Sequence, residues 1–193
     1  MRGRFLLLPL VAGILSSCVD RTHVLRVSIP EQRMALYKKG VEVARFDVST
    51  SKFGLGDVPG SNCTPLGKFE IASKIGGDEP AGMKFKNRKP TGEIVPVNSP
   101  GRDPIVTRIL WLRGMEDCNR CAHERTIYIH GTPEEWRLGS PASYGCVRMR
   151  SSDIISLFDT VGKGARVFIH TDPLPFNTDS APKAERVITS NAQ

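Results

Sequence analysis

The chain has 193 residues, 39% of them hydrophobic and 24% charged, with a formal net charge of +7. This balance suits a single folded domain of ordinary size and excludes a disordered chain. The Lys and Arg residues are scattered, so no nucleic-acid stripe forms; a carboxylate-rich anionic polymer suits the charge, and a solvated basic surface suits it equally.

At the N-terminus, Arg2 and Arg4 precede an apolar stretch from Phe5 to Leu15, broken only by Pro9 and Gly13. That stretch is too short to cross a bilayer as a stable helix and suits a secretory signal. The following Leu15-Ser16-Ser17-Cys18 resembles the lipobox of bacterial lipoproteins. The resemblance implies a signal peptide over 1–17 and lipidation of Cys18; an ordinary cleaved signal with Cys18 left as a thiol is the alternative. Either way the mature protein lies outside the cytoplasm, with its net charge reduced to +5 by the loss of Arg2 and Arg4. A short anchor linker is expected over 18–23, one domain over 24–172 and a polar tail over 173–193.

The abundance of Gly (18) and Pro (14) predicts many turns and a mainly β, sandwich- or barrel-like fold with one or two short helices. Strands are predicted over 24–29, over 34–37 and 41–48 around a Lys38-Lys39-Gly40 turn, and from Leu66 to Ile71. The polar, Gly-rich segment 76–101 reads as a long loop. Further strands are expected over 105–112, 126–130 and 165–170. Ser151-Ser152-Asp153 reads as a self-capped helix start, with Ile154, Leu157, Phe158 and Val161 at helical spacing and Gly162 or Gly164 as the stop. No internal repeat and no second core is predicted.

The chemistry concentrates in Ile129-His130-Gly131-Thr132 and Ser143-Tyr144-Gly145-Cys146-Val147-Arg148-Met149. A thiol becomes a nucleophile when a neighbouring base or cation helps it ionise, and His130 can serve Cys146 in that way. Gly145 permits an unusual backbone turn, from which amides can face a developing oxyanion. Cys118-Asn119-Arg120-Cys121 suggests a local disulfide in an oxidising compartment. With only His123 nearby, a zinc site lacks ligands and no metal is expected. The state of Cys63 is left open.

These segments resemble the active-site signature of L,D-transpeptidases with the YkuD catalytic domain, in which a His-Gly step is followed by Ser/Thr-His-Gly-Cys, a hydrophobic residue and Arg or Asn. Thr64-Pro65-Leu66-Gly67-Lys68-Phe69 is similar to a second family feature, and the likeness extends over residues 24–170. The resemblance implies an enzyme without cofactor that acts on peptidoglycan stem peptides. Cys146 is the implied nucleophile and His130 the proton shuttle. Ser143, Tyr144 and Gly145 form the implied oxyanion turn, and Gly131, Thr132, Arg148 and Trp136 face the substrate. In this picture Gly131 leaves room beside the imidazole. Arg148 either forks onto a stem-peptide carboxylate or braces the loop before the helix, and Trp136 either lines the groove or packs. Tyr144 departs from the family's His and cannot carry a positive charge near neutral pH. A lipid-anchored monomer performing transpeptidation is expected; hydrolysis on the same scaffold and a non-catalytic wall-binding lipoprotein are the alternatives.

Overall fold

The computed structural model describes residues 19–99 and 103–175, so the signal segment, Cys18 and most of the expected tail lie outside the described residues. Ten strands follow in order: β1 His23–Ser28, β2 Arg33–Lys38, β3 Val41–Ser49, β4 Gly67–Ile75, β5 Met83–Lys86, β6 Lys89–Ile94, β7 Val106–Gly114, β8 Tyr128–Gly131, β9 Val147–Met149 and β10 Arg166–His170. Helix α1, Ser151–Thr160, lies between β9 and β10. The sheet runs β4-β10-β1-β2-β3-β9-β8-β7 and closes on itself because β4 also pairs with β7. Closure removes the open edges of these eight strands, and their inward side chains form the main core, including Leu25, Phe69, Leu112, Ile129 and Val147.

The predicted β2–β3 turn forms with Lys39 and Gly40 both at positive φ, as a tight two-residue hairpin requires. The 76–101 segment departs from its reading as a loop. β5 and β6 form a hairpin joined to the end of β7 through Lys84 and Val106. Beneath it Met83, Phe85, Ile109 and Tyr128 make a second, smaller core cluster where none was predicted.

The start of α1 is also corrected. Arg150, not a serine, is its N-cap and makes no side-chain cap bond. The Ser151 amide instead donates to Glu135 Oε1 at 2.9 Å, while the Ser151 hydroxyl bonds Thr107 Oγ1. At the other end Lys74 Nζ donates to the carbonyls of Phe158 and Val161, closing the helix with a cation.

The flanks of the domain are docked. The Asp20 amide donates to the Lys163 carbonyl at 2.7 Å and its carboxylate accepts the Gly162 amide, so the expected linker is already bound at residue 20. Leu174 is buried and its amide donates to Glu31.

Candidate active site

β8 and β9 are parallel neighbours, with Ile129 opposite Val147 and His130 opposite Arg148. Cys146 immediately precedes β9, and its Sγ accepts the Tyr128 amide hydrogen at 3.4 Å from β8. His130 stands two residues further along β8 and therefore points to the same side of that strand. Both side chains line one cleft of about 690 Å³, together with Ser143, Tyr144 and Arg148.

The imidazole is buried, and its Nδ1 lies 2.8 Å from the Gly131 carbonyl. A carbonyl only accepts, so Nδ1 carries the hydrogen and Nε2 keeps its lone pair. Burial pushes the His130 pKa below its usual value, against the pull of the Asp103 carboxylate and the Gly131 hydrogen bond. Burial likewise pushes the Cys146 thiol up to about 11, with the Tyr128 amide opposing. At rest the pair is a neutral thiol and a neutral imidazole. The thiol donates to the Thr126 carbonyl at 3.5 Å.

The turn carrying Cys146 is built by hydroxyls. Ser143 Oγ donates to the Cys146 carbonyl at 2.6 Å and accepts the Gly145 amide at 3.2 Å. Thr64 is fully buried; its Oγ1 donates to the Gly145 carbonyl at 3.0 Å and accepts the Ser51 amide. The Thr64-Pro65 step thus reaches the turn before Cys146 directly. Gly145 has φ +117°, and a Cβ there would stand 3.2 Å from the Cys63 carbonyl. Because its own amide is bonded to Ser143, Gly145 is a poorer oxyanion donor than the sequence implied.

Gly131 meets a different need from the one expected. A Cβ there would stand 2.7 Å from the Val106 carbonyl, so the missing side chain makes room for β7 rather than for the imidazole. Thr132 is buried, bonds Asp103 through its hydroxyl and accepts the Glu134 amide.

Arg148 is 1% exposed and lies among Asp103, Glu134 Oε2 at 2.9 Å and Ser49 Oγ at 3.0 Å. Two carboxylates already hold its guanidinium, which braces β9 against β3 and the 132–135 segment. Asp103 and Glu134 have no signal in the sequence, since they lie 45 and 14 residues from their partner. Trp136 is 65% exposed, is overlaid by Arg137 and does not line the cleft, although Glu134 and Arg137 do.

A second pocket of about 290 Å³ also reaches Cys146, lined by Asn62, Arg125, Tyr128 and Tyr144 among others. Arg125 holds its wall through a buried ion pair with Asp57 and a bond to the Cys63 carbonyl. No bond joins Cys118 to Cys121 in this structure, where Cys63 and Cys146 are also unbonded. The segment is fixed by other means. Asn119 is buried and bonds the carbonyls of Leu66 and Lys68, and the Cys121 amide donates to Asp57.

Comparison with known proteins agrees with this arrangement. The chain is 24% identical over 165 residues to the "Probable L,D-transpeptidase YcfS" of Escherichia coli K12, a match covering 84% of this chain and 48% of that protein. It is 42% identical over 55 residues to the "Probable L,D-transpeptidase ErfK/SrfK" of the same organism, covering 28% of this chain and 18% of the relative. The chain thus spans under half the length of these relatives. Among solved structures, L,D-transpeptidase 3 from Mycobacterium tuberculosis with a faropenem-derived adduct aligns with TM-score 0.51 and 18% identity, covering 77% of this chain and 60% of that one. The L,D-transpeptidase from Xylanimonas cellulosilytica aligns with TM-score 0.50 and 18% identity, covering 79% and 63%. These likenesses carry the fold. The family model for the YkuD L,D-transpeptidase catalytic domain matches residues 22–169, most of the chain, and the protein belongs to that family.

Proposed function

We propose that the protein is a cysteine-dependent peptidoglycan L,D-transpeptidase. The supporting observation is that Cys146 and a buried imidazole whose Nδ1 is tied to Gly131 line one cleft. A stem tetrapeptide enters with the carbonyl between its third residue and terminal D-Ala at the sulfur. Nε2 of His130 takes the thiol proton as sulfur attacks, then returns it to the departing D-Ala amine, leaving a thioester on Cys146. The amide of Cys146 is the proposed oxyanion donor, on a turn fixed in advance by Ser143 and Thr64. An acceptor amine then attacks the thioester, His130 removes its proton, and the thiol is regenerated. No cofactor takes part.

The smaller pocket supports transfer to an amine over hydrolysis, because two openings on one sulfur suit a donor and an acceptor. The N-terminal pattern supports an extracytoplasmic, lipid-anchored protein, and loss of lipid labelling in Cys18→Ala tests the anchor. The enzymatic reading is tested by incubating the purified protein with tetrapeptide muropeptides and following masses. Cross-linked dimer with loss of D-Ala is expected. Tripeptide without dimer would point to a hydrolase, and unchanged tetrapeptide would overturn the enzymatic reading.

A further inference from the structure

Lys52 has no counterpart in the motif reading, yet it is wired to the catalytic turn. Its amide donates to the Ser143 carbonyl at 3.2 Å. Its Nζ donates to Tyr144 Oη at 3.3 Å and stands 4.6 Å above the Tyr144 ring and 5.2 Å above the Phe53 ring. The two rings lie 5.2 Å apart and are both exposed. An ammonium beside two aromatic rings is favoured there while the N–H groups not given to Tyr144 stay available to a ligand.

Charge in the cleft singles out this residue. Arg148 is held by Asp103 and Glu134, and Arg137 lies 3.6 Å from Glu134. Among the described residues Lys52 is the cleft cation with no carboxylate within ion-pair distance. We propose that Lys52, seated on Tyr144 and Phe53, is the specificity-determining residue that binds a substrate carboxylate at the mouth of the cleft. Arg148, the carboxylate ligand suggested by the motif, is instead occupied within the protein. Tyr144, in place of the family's His, supplies the aromatic seat for this cation.

The assignment rests on the transpeptidase reading, in which a stem tetrapeptide offers two candidate carboxylates: the C-terminal one, and the side-chain one of a diamino acid at the third position. Binding is measured by calorimetry on the full chain carrying Cys146→Ser, so that no turnover intrudes. The ligands are the tetrapeptide free acid, its C-terminal amide and its third-residue side-chain amide. Adding Lys52→Met should weaken the free acid about fivefold or more, by an amount that shrinks at high salt, with Tm unchanged because the side chain is exposed. Lys52→Arg should retain most of the affinity. Amidation of the recognised carboxylate should reproduce the loss with Lys52 present and add nothing in Lys52→Met, and this identifies which carboxylate is bound. Equal affinity of the Lys52 and Lys52→Met proteins, additive losses for both amides, or no tetrapeptide binding would overturn the assignment. Failure of the transpeptidase reading is distinct, because it appears as absent D-Ala release by the unmodified protein.

Discussion

The polar groups of one cleft are handled in opposite ways. His130 and Cys146 are desolvated with few partners, which keeps both neutral. Arg148, opposite His130 on the next strand, is as buried as the imidazole but is compensated by Asp103 and Glu134. The proposed proton-exchanging pair is held neutral by burial, whereas the bracing guanidinium is held in place by countercharge. The backbone register thus sets the proposed proton carrier beside the bracing arginine, one strand apart.

The largest effects should come from breaking the reactive half. Cys146→Ala should abolish acyl-enzyme formation by mass spectrometry, with the fold kept. His130→Gln should lower kcat/KM for D-Ala release roughly 10²- to 10⁴-fold, as expected for a lost general base. Without substrate, iodoacetamide should alkylate Cys146 ever faster as pH rises from 7 towards about 11, since deprotonation is incomplete below that value. His130→Gln should leave the shape of that profile almost unchanged. A rate plateau near neutrality that disappears in His130→Gln would show a resting thiolate–imidazolium pair and erase the contrast.

The scaffold half should fail through stability. Arg148→Met leaves two carboxylates without their cation and should cost about 3–5 kcal/mol in urea unfolding. Adding Asp103→Asn and Glu134→Gln should recover part of that loss, because the uncompensated charges are what cost most. If the triple variant is no more stable than Arg148→Met, the charge argument for Arg148 is wrong.

The same contrast governs what the sequence revealed. Cys146 and His130 stood out in the sequence because the candidate nucleophile and base fall in two short segments, 129–132 and 143–149. β1 to β4, β7, β8, β10 and α1 were legible from alternation and spacing. Asp103, Glu134 and Lys52 were not, because long-range pairing across a closed sheet leaves no local pattern. β6 was hidden as well: all six of its residues are exposed, it contains Pro90 and Gly92, and its turn uses Asn87 and Arg88 at positive φ without a glycine. Three-residue β9 is too short to show a period. Asn119 and Asp57 fasten the segment that carries Cys118 and Cys121 through long-range bonds that leave no local pattern either.

The smallest predicted effect lies outside the cleft, where Asp20 is a buried charge held mainly by donors. Burial opposes its ionisation, but the amides of Gly162, Thr22 and His23 and the His23 ring outweigh it and hold the carboxyl well below the usual carboxylate range. A carboxyl with a depressed folded pKa contributes stability that is complete above its unfolded value near 4 and is lost as pH falls through the folded value. Asp20→Asn should therefore destabilise by about 2 kcal/mol at pH 7. That gap should narrow as denaturation is followed from pH 4 towards pH 2, since the wild-type advantage titrates away while the amide's does not. A gap that stayed constant over this range would mean that packing against Gly162, where a Cβ would stand 2.8 Å from the Asp20 Cβ, holds the N-terminus instead of charge.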